Sequence, residues 1–155
     1  MRFEAFYFSL VYVHNSKMRL SCEAMDINEL KELAKESIKN AYAPQSGFKV
    51  GCAIQTVTGE VYTGCNVESL SLIFTICAER NAISTAIAMA GEIEIETVVV
   101  YTPTKLATPP CGACRQAIFE FGKNATIHCF SEHGASLTAT IRELLPEAFD
   151  LKEME

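Results

Sequence analysis

The chain has 155 residues, 49% hydrophobic and 21% charged, which is the composition of one folded domain that can bury its own core without disulfide or metal staples. Thirteen Lys and Arg against 19 Asp and Glu leave a net charge of −6, which argues against a protein built on nucleic-acid phosphates, and modest Gly, Pro and charge contents exclude disordered and collagen-like chains. The seven cysteines are an odd number without a secretory signal of the usual form, so they read as reduced thiols of a cytoplasmic protein, some of them free to hold metal.

Residues 3–13 are apolar and aromatic but too short for a membrane span of about 20 residues. Glu4 interrupts them, Lys17 and Arg19 follow, and no small-x-small cleavage site stands after them. Residues 1–25 therefore read as an N-terminal extension or an upstream start, with Met18 or Met25 opening a domain of residues 26–150 and a tail over 151–155. Asp26 and Glu29 form a capping-box pattern, and Ile27, Leu30, Leu33, Ala34, Ile38 and Ala41 recur at helical spacing to about Tyr42. Pro44 and Gly47 end that helix. Phe48, Val50, Cys52 and Ile54 alternate, Thr58-Gly59 turns, and Val61 to Val67 returns as the second strand of a hairpin.

A second helix begins near Cys77 and stops at Gly91. The β-branched run Thr97 to Tyr101 predicts a strand covered on both faces, approached through a solvated Glu/Ile alternation over 92–96. A third helix follows Pro110 and ends at Gly122, Ala125 to Phe130 is a strand, and Ser136 to Leu145 reads as a short closing helix. Strands and helices in this order predict an α/β fold, a three-layer α/β/α sandwich on one mixed sheet.

The chemistry gathers at two helix starts, Cys77-Ala78-Glu79-Arg80 and Pro110-Cys111-Gly112-Ala113-Cys114. Three thiolates can hold Zn²⁺ tetrahedrally with a fourth position left for water, and helix N-termini favour the thiolate form. Residues three apart in a first helical turn lie on one side, so Cys111 and Cys114 can share a metal. Glu79 stands near the metal without needing to be a ligand, placed to move protons between water and a substrate nitrogen. Taken alone, a Cys-x-x-Cys pair is equally a structural metal site, a redox pair or neither, and a fourth thiol from Cys52, Cys65 or Cys129 would close a structural Cys₄ shell. The combination is more specific and resembles the signature of zinc deaminases.

With those residues in view, the chain resembles the small, homotetrameric cytidine deaminases over roughly Asp26 to Asp150. The resemblance rests on Ala43-Pro44-x-Ser46-x-Phe48-x-Val50-Gly51, Gly64-Cys65-Asn66-Val67-Glu68, the two cysteine motifs with Arg115-Gln116, and Leu144-Leu145-Pro146-x-x-Phe149. It implies zinc on Cys77, Cys111 and Cys114, attack by metal-activated water at C4 of a pyrimidine nucleoside, and proton transfer by Glu79 to N3. It also implies substrate contacts from Phe48, Asn66, Glu68, Ala78 and Phe149: Phe48 packs on the base, Asn66 and Glu68 hold the ribose hydroxyls, and Phe149 reaches into a neighbouring subunit's pocket. Partners are then a small nucleoside and further copies of the chain, with no nucleic acid or membrane.

Arg80 is assigned a separate task. Three thiolates give Zn²⁺ a net charge of about −1 before water is counted, and an arginine donating to sulfur draws part of that charge back. The chain departs from the family pattern at Gln45, where a tyrosine is usual, and at Ser69-Leu70-Ser71-Leu72, which leaves the preferred nucleoside open. A blasticidin-type deaminase is the second enzyme reading, opposed by Glu68 and Arg80, which that relative lacks. A non-catalytic, zinc-stabilised oligomer is the third. Cys52 and Cys129 read as small buried hydrophobes, Cys65 as packing, and His14, His128 and His133 lack ligand spacing with the thiols.

Overall fold

The structure is a computed structural model and describes residues 24–150. The expectations placed on residues 1–23 and 151–155 lie outside the described residues. Among those described, no helix is long and apolar enough to cross a membrane.

Helix α1 (Ile27–Ser37) starts as its sequence demands: the Asp26 carboxylate accepts from the Asn28 and Glu29 amides at 2.7 and 2.9 Å, and the Glu29 side chain returns to the Asp26 amide. The regular helix stops at Ser37, short of Tyr42, and tightens into a 3₁₀ turn over Ile38–Asn40. Strands β1 (Gly51–Thr56) and β2 (Val61–Cys65) form the hairpin, with Gly59 at φ +90° in the turn. Helix α2 (Ala78–Ala90), strand β3 (Ile95–Thr102), helix α3 (Gly112–Phe121) and strand β4 (Thr126–Ser131) follow.

The closing segment corrects the helix expected over Ser136 to Leu145. Ser136–Thr140 is strand β5, and only Ile141–Leu144 is helical, as α4. Gly134, at φ +86°, turns the chain back so that β5 pairs antiparallel with β4. Leu137, Thr138 and Thr140 carry the β propensity, and pairing outweighed the weak helical spacing. Thr140 and Glu143 then make a capping box at the helix start.

The five strands run β2-β1-β3-β4-β5, with β3 and β4 parallel and the other neighbours antiparallel, so the sheet is mixed as predicted. Residue alternation sends Cys52, Ile54, Val98, Val100, Ile127 and Cys129 to the face covered by α2 and α3, and Ala53, Val99 and Tyr101 to the face covered by α1. These are the three layers. Every residue of β1 is buried, because helices cover both of its faces. Two glycines permit the close docking. A Cβ on Gly51 would lie 2.6 Å from Ser37 Oγ under α1, and one on Gly64 would lie 2.5 Å from the Ala78 carbonyl oxygen under α2. The interior puts α2 and α3 side by side with their N-terminal ends carrying the cysteine motifs.

Candidate active site

Cys77 and Cys111 are the N-cap residues of α2 and α3. Neither sulfur caps its own helix, so both are left for other bonds. Cys114 is the third residue of α3, one turn above Cys111. The three Sγ atoms lie within 4.8 Å of one another, and Cys77 Sγ is 3.9 Å from Cys111 Sγ. Tetrahedral geometry with Zn–S of about 2.3 Å requires sulfurs about 3.8 Å apart, so the donor set fits zinc in spacing as well as in chemistry. Among the described residues no fourth His, Cys, Asp or Glu joins this cluster. Cys52 and Cys129 are fully buried on the sheet and Cys65 is half-buried at the end of β2, as expected of packing residues. Zinc held by these three thiols alone would keep one coordination position open.

In the metal-free cluster the Cys77 thiol is pulled down to about 5, by the hydrogen bond from Cys114 first, against a burial penalty, and then by Cys111 and Arg80. Cys114 is pushed up, because it keeps the proton it donates to Cys77 and is buried. Arg80 donates from Nη2 to the Thr75 carbonyl at 2.8 Å, while its buried Nε–H has no hydrogen-bond partner among the described residues. A Cys77 thiol lowered partly by Arg80, beside a buried Nε–H of the same guanidinium without a partner among the described residues, is the arrangement expected if sulfur charge is to be shared with arginine.

Glu79, 4% exposed in the first turn of α2, has its carboxyl raised by burial above the usual range. Cys52 and Cys129 flank it from the sheet: both pair across to Val100, one from each side, and both thiols are themselves pushed up, by burial first and then by the Glu79 charge. Glu79 is thus buried within electrostatic reach of two thiols, and its burial favours the protonated form. Ala78, between it and Cys77, has no exposed surface and packs in the same core.

Asn66 and Glu68, 6% and 9% exposed, are bound to the loop before β1. Asn66 Oδ1 accepts from the Val50 amide and its Nδ2 donates to the Phe48 carbonyl, both at 2.8 Å. The Glu68 carboxylate accepts from the Gln45 amide at 2.8 Å, the Ser46 amide at 3.2 Å and the Ser46 hydroxyl, and these bonds, the hydroxyl foremost, hold its pKa below the usual range. Asn66 keeps one N–H and one lone pair unspent, and Glu68 keeps a lone pair on Oε1. Phe48 stays 39% exposed on this loop. Phe149 is exposed at the far end of the chain, its carbonyl accepting from Gln116 Nε2 of α3 at 2.8 Å, and Lys123 pairs with Asp150 beside it.

Two polar tethers of the site escaped the sequence analysis. Thr75 accepts from Arg80 with its carbonyl and from the Ser69 amide with its hydroxyl, and Asn81 donates to the Cys65 carbonyl at 2.9 Å. Asn81 was detectable as an amide set among Ala and Ile in a helix otherwise patterned for burial. The hydrophobic run Leu70, Leu72, Ile73 and Phe74, each at least 68% exposed, lies on the loop that Thr75 closes.

Residues 25–130 match the family model described as the cytidine and deoxycytidylate deaminase zinc-binding region. The chain is 36% identical over 127 residues to the cytidine deaminase of Mycoplasma pneumoniae, covering 81% of this chain and 95% of that one. It is 37% identical over 131 residues to the cytidine deaminase of Halalkalibacterium halodurans, covering 84% and 98%. A blasticidin-S deaminase of Bacillus cereus is 32% identical over 126 residues, covering 76% and 88%. The crystal structure of cytidine deaminase from Burkholderia pseudomallei superposes with a TM-score of 0.77 at 38% identity, covering 81% of this chain and all of that one. A cysteine triad of zinc spacing, a buried glutamate beside it and a matching sheet order coincide with these likenesses, and the chain belongs to the cytidine and deoxycytidylate deaminase family.

Proposed function

We propose that this chain is a zinc-dependent cytidine deaminase, converting cytidine and deoxycytidine with water to uridine and deoxyuridine and ammonia. The observation that carries the reading is the buried Glu79 two residues after one of three thiols set at zinc spacing, which no fourth His, Cys, Asp or Glu joins among the described residues. Cys77, Cys111 and Cys114 hold Zn²⁺, which when bound supplies Lewis acidity and lowers the pKa of water.

Glu79 does the proton work. It accepts a proton from the water that adds at C4 and delivers it to N3 of the ring, then takes the second from the hydroxyl left on C4 and gives it to the amino group, which departs as ammonia when the C4–N bond breaks. Burial raises its carboxyl above the usual range, which favours the protonated form that donates to the ring. Phe48 offers its exposed face to the pyrimidine. Asn66 and Glu68 hold the ribose hydroxyls with the donor and acceptors they have left, rigidly, because the loop over 45–50 pins both side chains. Arg80 tempers the thiolate charge. The neutral nucleoside suits a chain of net charge −6 better than a phosphorylated substrate does.

The reading extends to a homotetramer with shared sites, supported by the exposed apolar run Leu70 to Phe74 and by Phe149, tethered to α3 with its ring exposed. It extends also to a cytoplasmic enzyme of pyrimidine salvage, supported by seven cysteines in an odd count.

The test offers purified protein of measured zinc content cytidine, deoxycytidine, blasticidin S and dCMP, with Glu79→Ala as control, and follows the loss of cytosine absorbance. Turnover of the two nucleosides that vanishes in the control is the expected result. Turnover of blasticidin S alone would move the chain to the second reading, and no turnover with one zinc per chain would make the metal structural.

A further inference from the structure

Helix α2 carries Cys77 and Glu79 at its start, and it rests on β2 through small groups. Gly64 lies directly beneath Ala78 and Ala82, so closely that a Cβ there would be 2.9 Å from Ala82 Cα. A contact of glycine against alanine backbone is close but smooth. At that spot no interlocking side chains resist sliding along the helix axis, although Ile83 farther along α2 packs in the core with Tyr62 of β2 against the same cluster.

Among the described residues, one side-chain hydrogen bond joins α2 to β2 across this contact. Asn81, half-buried and two residues beyond Glu79, donates from Nδ2 to the carbonyl of Cys65, the last residue of β2, at 2.9 Å. A carbonyl can only accept, so the amide nitrogen must face it. The next residue is Asn66, whose own amide brackets Phe48 and Val50. A continuous path of helix, hydrogen bond and peptide then joins the proton-transfer group to the residues that hold base and sugar.

We propose that Asn81 is a positioning residue that sets Glu79 in register with the nucleoside-holding segment Asn66–Glu68, through its hydrogen bond to the Cys65 carbonyl. This rests on the deaminase reading, since it supposes that Glu79 and Asn66–Glu68 act on one substrate. Its consequence falls on the chemical step more than on binding: the contacts of the 45–50 loop survive without Asn81, while a displacement of about 1 Å between reacting groups can cost as much as a hundredfold in rate.

Asn81→Asp keeps the shape and removes the donor, and a negative charge in the first turn of a helix favours folding. Asn81→Leu removes the bond without adding charge. In both variants, fully loaded with zinc, kcat for cytidine is expected to fall about tenfold or more. KM and the inhibition constant of uridine are expected to stay within about twofold. Backbone hydrogen exchange over residues 66–68 is expected to quicken. Unchanged kcat in either variant at full zinc loading, even with a lowered Tm, would overturn the proposal and leave Asn81 a structural residue. Unaltered exchange over 66–68 would overturn it too, and that readout needs no turnover. A wild-type protein that deaminates none of the nucleosides would instead sink the deaminase reading, with the exchange comparison still deciding whether the tie exists.

Discussion

Ser46 donates both its hydroxyl and its backbone N–H to the carboxylate of Glu68, and the Gln45 amide adds a third bond to the same group. The hydroxyl is the largest cause of the lowered Glu68 pKa. A depressed carboxyl pKa keeps Glu68 charged, and able to accept from a sugar hydroxyl, above that pKa, and the ability is lost as pH falls through it. Ser46→Ala should therefore raise KM for cytidine several-fold and move the acid limb of kcat/KM to higher pH. A pH profile of the two proteins checks this, and an acid limb that stays in place would detach Glu68 from nucleoside binding.

Glu79→Gln should lower kcat by about 10²- to 10⁴-fold, the ordinary worth of a positioned proton-transfer group, with zinc content unchanged. In metal-free protein the raised Glu79 pKa means that the folded chain holds this proton more tightly than the unfolded one. Its contribution is complete below the unfolded pKa and is lost as pH rises through the folded pKa. Thermal melts of the metal-free proteins across pH should show the wild type losing stability over that window and the Gln variant spared the loss. Parallel melting curves would contradict the assignment.

Zinc loading should release protons. Ligation needs thiolates, and Cys114 in particular holds its proton firmly before the metal arrives. Affinity then falls as pH falls, and calorimetry in buffers of different ionisation enthalpy counts the protons. Chelation should lower the Tm, by linkage equivalent to about 4 kcal/mol when free zinc stands at 1,000 times its Kd. Cys114→Ala should abolish stoichiometric zinc binding, and retention of one tightly held zinc would require another ligand.

Gly64→Ala should be strongly destabilising because the new methyl would meet Ala78 and Ala82 backbone, which cannot swing aside. Overpacking of this kind costs about 1–3 kcal/mol, or a Tm drop on the order of 2–12 °C for a chain of this size. Gly47→Ala, where nothing lies within 4 Å, tests the contrast, since its cost comes from the positive φ of +68° alone. Equal Tm losses in the two would mean that α2 can retreat from β2.

Local patterns read well wherever local chemistry decides the outcome. The Asp26–Glu29 capping box, the Thr58-Gly59 turn and the β3 run all stand where their residues indicate, because caps, turns and β-branched stretches act within a few positions. The reading went astray at Ser136–Thr140, where hydrogen bonding to β4 determines the conformation and β4 is brought there by the fold. It overran at α1, where a 3₁₀ turn replaces the last helical turn.

By itself the sequence determined the candidate donor set: Cys77, Cys111 and Cys114, with Glu79 two residues from Cys77, on two helix starts of one α/β domain. Motif spacing carries that much because each cluster is short. Tertiary structure alone decided that 34 residues of separation close to 3.9 Å between Cys77 and Cys111 sulfurs, that no fourth described His, Cys, Asp or Glu joins them, and that Cys52 and Cys129, on either side of Val100, come within reach of the Glu79 charge. It also decided that Glu68 and Asn66 spend most of their hydrogen bonds on the loop over 45–50, and that Asn81 reaches Cys65. These are relations between elements distant in the chain. They depend on how closely small residues such as Gly51 and Gly64 let the layers approach, and that distance is a property of the packed whole.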